Sequence, residues 1–169
     1  MGVCTTAYSI TPKMMKKVRA DNENLAYVFD YFEDEDSIFG AGEDKGKLWE
    51  IESHDFDKGI ETYIHIFREV GFTKTARNID SEYADLDAFD YGGYDTWAIP
   101  PSGVKAMCKE LANATFEVLK AKEFPDVTDR RGSPLLESEL ESYLSDIESI
   151  KKFFDKASEQ GNYLIFAEA

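Results

Sequence analysis

Glu50, Glu52 and His54 stand at alternate positions in the stretch "KLWEIESHDF". In an extended strand, alternate side chains share one face. Two carboxylates and an imidazole on one face would suit a hard or borderline divalent ion, and Asp55 and Asp57 follow closely. The plainer reading is that alternating charges mark the solvent face of a strand. That reading is preferred, and no metal is assigned. His65 lies four residues after Glu61, the spacing of a surface pair on a helix. Nucleophilic catalysis would need Cys4 or Cys108 beside one of the two histidines, and nothing local signals such a pair. Cys108 falls on the apolar side of a helical pattern, where a thiol packs as a small hydrophobe.

Other chemistries fare no better. Asp85, Asp87 and Asp90 do not make a calcium loop, because Phe89 and Asp90 fill its fifth and sixth places and Thr96 its twelfth. "GAGEDKGK" lacks the order of a phosphate-binding loop, and its own acids would repel a phosphate. With 34 acidic residues, some carboxylate pair will fall at a glycosidase-like spacing by chance alone. No catalytic residue and no cofactor is assigned.

What stands out is uncompensated acid among aromatic rings. From Ile79 to Trp97 there are six acids, five aromatics and no Lys or Arg. Between Arg19 and Lys45 there are nine acids and no basic residue. A charge run of this kind is either a solvated face that keeps the protein soluble or a docking surface. As a docking surface, its carboxylates steer a basic protein while desolvated rings anchor it. The candidate contact residues are Asp34, Glu35, Asp36, Asp85, Asp87, Asp90, Tyr91, Tyr94 and Asp95. A competing candidate is a small-molecule pocket formed by Trp49, His54, Gly92, Gly93 and Trp97.

The totals narrow the classes. A chain of 169 residues suits one domain over 1–169, and a 43% hydrophobic content supplies a core. A net charge of −15 disfavours nucleic acid and anionic membranes as partners. No apolar run approaches the ~18 residues that span a bilayer. Two distant cysteines make no disulfide framework, which fits a reducing cytoplasm. "MGVCTT" matches an N-myristoylation pattern, but the simpler reading makes it the lead into a first strand. Oligomeric state is left open.

The elements follow from local signals. Val3–Ile10 is rich in β-formers and reads as a strand; Thr11-Pro12 then starts a helix to about Ala20. Asn24 to Phe32 reads as a second helix, with Leu25, Val28, Phe29 and Phe32 on one side. Ile38–Lys47, with three glycines, reads as a loop. "KLWEIESHDF" alternates as a strand, although a helix end also fits. Asp57 to Val70 has Ile60, Ile64 and Phe67 at helical spacing, closed by Gly71. Thr96–Ile99 is a short strand, Ser102 caps the next helix, and Phe116–Lys122 forms another. Ser133-Pro134, with Glu137, opens the longest helix, whose stripe runs from Leu136 to Phe154 and which ends at Gly161. "NYLIFAEA" is a last strand, apolar enough to lie inside a sheet beside the first. This pattern is α+β, a small mixed or antiparallel sheet including both terminal strands, packed with about five helices.

Four stretches resemble the YfbM-like proteins, a bacterial family of unknown function. They are "MGVCTTAYSITPKMMKKV", "KLWEI", "YGGYDTWAIPPSGVKAMCKELANAT" and "LESYLSDIESIKKFFDKASEQGNYLIFAEA", which match in order along nearly the whole chain. The resemblance implies a single α+β domain and no established activity. The family usually places a His four residues after the Trp. Here Ser53 holds that place and His54 comes one later, so any chemical role of that His is in doubt. The expectation is therefore a non-enzymatic, acidic, cytoplasmic protein that binds a basic protein partner, with toxin neutralisation as the most concrete version. The alternative is the Trp49–His54 pocket, as an enzyme or a small-ligand binder.

Overall fold

The structure is a computed structural model that describes residues 4–29, 51–57, 59–83, 88–91, 94–124, 126–129 and 131–168. Five strands, β1 (Thr5–Ile10), β2 (Glu52–Asp55), β3 (Ala88–Tyr91), β4 (Tyr94–Ile99) and β5 (Tyr163–Glu168), form one sheet in the order β2-β1-β5-β4-β3. Every neighbouring pair is antiparallel. The C-terminal strand β5 is central and lies beside β1, as its apolar sequence predicts: Leu164, Ile165 and Phe166 are fully buried, which only a strand covered on both faces can achieve. The fold is α+β.

Alternation sorts the core into two layers. Ala7, Trp97, Ile99, Leu164 and Phe166 face one layer of helices. That layer comprises α3 (Ile60–Glu69), α4 (Thr73–Asn78), α5 (Pro101–Leu111), α6 (Phe116–Lys120) and α7 (Glu137–Glu159). On the other face, Ile10, Ala98 and Ile165 meet α1 (Pro12–Ala20), a 3-10 turn at Asn22–Leu25 and α2 (Ala26–Phe29). Among the described residues no helix is long and apolar enough to cross a membrane.

Local chemistry sets the boundaries. Thr11 Oγ1 accepts the Met14 amide at 3.2 Å, and Pro12 opens α1, as the sequence indicates. Gly71 and Gly161 adopt φ of +84° and +66° just past α3 and α7, a conformation in which a side chain is disfavoured. Two helix starts differ from expectation. α5 begins at Pro101 with Pro100 at its cap, and Ser102 does not cap it. α7 begins at Glu137, because Asp129 folds the preceding loop by accepting the Arg131 and Ser133 amides, each at 2.8 Å, and Pro134 bridges to Thr128. Glu139 then accepts the Leu136 amide at 2.8 Å. The helix expected over Asn24–Phe32 divides into the 3-10 turn and the short α2; its end lies outside the described residues.

The two short helices α4 and α6 are capped from a distance. Glu110 of α5 accepts the Lys74 and Thr75 amides at 3.1 and 2.8 Å and the Thr75 hydroxyl at 2.9 Å. Glu148 of α7 accepts the Phe116 amide at 3.1 Å, while Thr115 Oγ1 accepts the Val118 amide. A helix of five or six residues cannot satisfy its first-turn donors internally. Part of this chain's acidity is thus spent on backbone N–H groups rather than on cations.

Candidate functional site

Two constellations of polar side chains emerge. The first lies where edge strand β2 meets α3 and α7. His54 pairs in register with Ala7, which turns its ring toward the helical layer. It lies edge-on to Phe56 at 4.9 Å and 5.9 Å from Phe153. Its Nε2 is enclosed without a hydrogen-bond partner, 3.6 Å from Asp146 Oδ2, which is beyond bonding reach. The same carboxylate oxygen accepts the Tyr63 hydroxyl at 2.6 Å. Burial pushes the Tyr63 phenol far above its ordinary range, with Asp146 acting in the same direction, so the phenol remains a neutral donor. Burial holds His54 below its ordinary 6.5, against the upward pull of Asp146 and then Asp55. Tyr143 closes the cluster edge-on to Tyr63 at 5.0 Å. Gly59 makes room for it, since a Cβ there would stand 2.8 Å from the Tyr143 ring. This arrangement holds a neutral imidazole among rings. With Nε2 enclosed, that nitrogen cannot take a proton from an external substrate in this conformation.

The second constellation is a row of positions in register across one end of the sheet. Asp90 of β3 pairs in register with Asp95 of β4, and Asp95 pairs in register with Glu168 of β5. Thr5 of β1 continues the row, and its hydroxyl donates to Glu168 at 3.5 Å. Like charges directly opposite across a sheet repel. Burial raises the Glu168 pKa above 4.5, and Glu61 of α3, Asp95 and Asp80 raise it further. Asp95 is exposed and Glu168 half-buried. Asp80, one of the acids acting on Glu168, is itself bound by Arg68 at 2.6 Å.

The structure places the sequence-derived candidates unevenly. Asp90, Tyr91, Tyr94 and Asp95 belong to the β3–β4 pair, and Asp90 and Asp95 share the row. Asp34, Glu35, Asp36, Asp85 and Asp87 lie outside the described residues, as do Trp49, Gly92 and Gly93. His54 sits on β2 at one edge of the sheet, whereas Tyr91 and Tyr94, which flank Gly92-Gly93, sit on β3 at the other edge and on its neighbour β4. Two strands lie between β2 and β4 and three between β2 and β3, at a spacing of about 4.8 Å, so His54 does not share a pocket with those flanking positions. Trp97 corrects the expectation of a pocket wall. It is a core residue, 2% exposed, stacked on Phe166 at 5.2 Å and donating from its indole N–H to the Asn78 carbonyl at 3.0 Å. Glu52, which shares a face with His54, binds Lys156, and among the described residues no three His, Cys, Asp or Glu side chains are arranged to hold a metal. Cys108 is half-buried, and burial pushes its thiol up to about 11, so it is a poor nucleophile.

Sequence reasoning missed Tyr63, Asp146 and Glu168. Tyr63 and Asp146 left no signal, because each is one residue of an amphipathic helix. Glu168 did leave one: a lone acid at the end of an otherwise apolar strand.

A model of the family described as a domain of unknown function, DUF1877, matches residues 1–167. The crystal structure of YfbM from Escherichia coli, titled a protein of unknown function, is similar in fold. It has a TM-score of 0.56 at 14% identity and covers 98% of this chain and 99% of that one. No curated protein matches the sequence.

Proposed function

The chain belongs to the DUF1877 family, and because that family's description assigns no activity, we propose a function from the site itself: it binds a basic protein partner through the carboxylate row at the end of the sheet. One observation carries this reading, the register that sets Asp90, Asp95 and Glu168 side by side across three strands. Such a row is costly in the free protein. A Lys or Arg side chain laid across it removes the repulsion and gains charge-assisted hydrogen bonds. The reading remains non-enzymatic, and an immunity-type protein that neutralises a basic toxin in the cytoplasm is its most concrete form.

The test is affinity capture with the products of neighbouring genes, followed by a salt titration of the complex. A one-to-one complex with a basic protein is expected, weakening as salt screens charge beyond about 8 Å in physiological buffer. The double variant Asp95→Lys, Glu168→Lys is expected to slow association by roughly tenfold or more, with less effect on dissociation. Binding that ignores salt, or survives the double reversal unchanged, would remove the proposal.

A second test needs no partner. The ionised Glu168 is disfavoured in the folded state, so its cost is fully present above the folded pKa and vanishes as pH falls toward 4.5. Glu168→Gln is therefore expected to raise the melting temperature by a few degrees at neutral pH, and by progressively less toward pH 4.5. An unchanged or lower melting temperature at neutral pH would mean the row carries no strain for a partner to relieve.

A further inference from the structure

A cavity of about 340 Å³ lies against α4 and α5, lined by Lys74, Lys105 and Lys109 with Ser102, Ala106 and Glu110. Lys74 comes from the first turn of α4. Ser102, Lys105 and Lys109 recur at helical spacing along one face of α5. All three lysines are exposed. Three other lysines pair with acids: Lys120 binds Glu141 and Lys151 binds Asp155, both at 2.6 Å, and Lys156 binds Glu52. Among the described residues, Lys74, Lys105 and Lys109 form no ion pair. The one acid in the wall, Glu110, already accepts three hydrogen bonds from α4. Lys105 and Lys109 are also a like-charge i, i+4 pair, which weakens a helix. A chain of net charge −15 thus keeps a groove with three lysines against one carboxylate.

The geometry points to a binding site for a small phosphate-bearing molecule in this groove. Three lysines and the Ser102 hydroxyl line one groove as separate point donors, which suits the several oxygens of a phosphate. A planar carboxylate is better met by the fork of an arginine, and the groove holds none. Pro101 has no N–H and Val104 donates to the Pro100 carbonyl, so the uncapped first turn of α5 leaves the Ser102 and Gly103 N–H groups for the same anion. The volume falls at the low end of ligand sites, roughly 300–1,000 Å³. The net charge of the chain repels an extended polyanion such as a nucleic acid. The site is independent of the carboxylate row: α5 follows the Ile99 end of β4, while Asp95 lies near the other end.

The experiment is an amide NMR titration of the whole chain with inorganic pyrophosphate at low ionic strength. Saturable one-site shifts are expected at Lys74, Ser102, Gly103, Lys105 and Lys109. Lys105→Gln with Lys109→Gln should weaken binding by about tenfold or more per lysine. Lys16→Gln with Lys122→Gln, which changes the net charge equally at exposed sites outside the groove, should leave it nearly unchanged. Shifts that never saturate, or that weaken equally in both double variants, would reduce the effect to general charge attraction and overturn the site. So would undiminished binding in the groove variant, whose fold is verified by an otherwise unaltered amide spectrum.

Discussion

Replacing Trp97 by alanine is expected to destabilise the fold by about 3–5 kcal/mol, lowering the melting temperature by roughly 10 °C or more in a chain of this size. The indole lies flat on Phe166 of the central strand, 14° from parallel, and ties β4 to the end of α4 through the Asn78 carbonyl. Truncation leaves a cavity between sheet and helices and also strands that carbonyl. Trp97→Phe separates the two effects, since it keeps a ring on Phe166 but loses the indole donor; an intermediate loss of about 1–3 kcal/mol is expected. The measurement distinguishes two roles for the same residue. A ring held on the surface for a partner would tolerate alanine within about 0.5 kcal/mol. Thermal unfolding of the two variants decides between them.

That contrast shows what the sequence could and could not convey. "YDTWAIPP" revealed a strand through its β-formers and its proline stop, but Trp97 looked equally suited to a core, a pocket or a docking face. Only the strand order decides, because it puts Trp97 beside Phe166 under the helical layer. The terminal strands and α1, α3 and α7 were legible because each combines a periodic apolar face with a chemical start or stop. β3 and α4 were not. β3 is four residues of an acidic segment and gains its identity from pairing with β4. α4 is six residues, too short for a periodic signal, and its cap is Glu110, 35 residues distant from Thr75. Long-range capping leaves no local trace.

The acids divide in the same way. Read along the chain, they look like one undifferentiated negative charge. In space they have separate tasks. Glu110, Glu148, Glu139 and Asp129 accept backbone amides. Asp80 holds Arg68. Asp95 and Glu168 stand in register at one end of the β-ladder, where Glu168 takes only the long Thr5 hydroxyl bond among the described residues. Net charge therefore overstates the surface available to a partner, and register, not composition, narrows it.

Asp146→Ala is expected to cost more than Tyr63→Phe, although each removes the same hydrogen bond. Tyr63 is 5% exposed, so without Asp146 its hydroxyl is left buried and unpaired, at about 1–3 kcal/mol. In Tyr63→Phe the remaining carboxylate, 38% exposed, turns to water, and the loss should be about 1 kcal/mol or less. Acidity separates the variants further. His54 is held below 6.5 in the folded chain, chiefly by burial, so on acidification the unfolded chain takes up its proton first. The His54 contribution to stability therefore falls as pH drops through 6.5 and levels off below the folded pKa. Asp146 opposes that depression; without its charge the folded pKa sinks further and the decline becomes longer and deeper. Melting temperatures at about pH 7.5 and 5.5 for wild type, Asp146→Ala and Tyr63→Phe give the readout. The Asp146 variant should show both the greater loss at the higher pH and the steeper fall between the two. Equal losses in the two variants would mean that water reaches the Tyr63 hydroxyl, and a fall no steeper than that of wild type would mean that Asp146 does not act on His54 across the 3.6 Å gap.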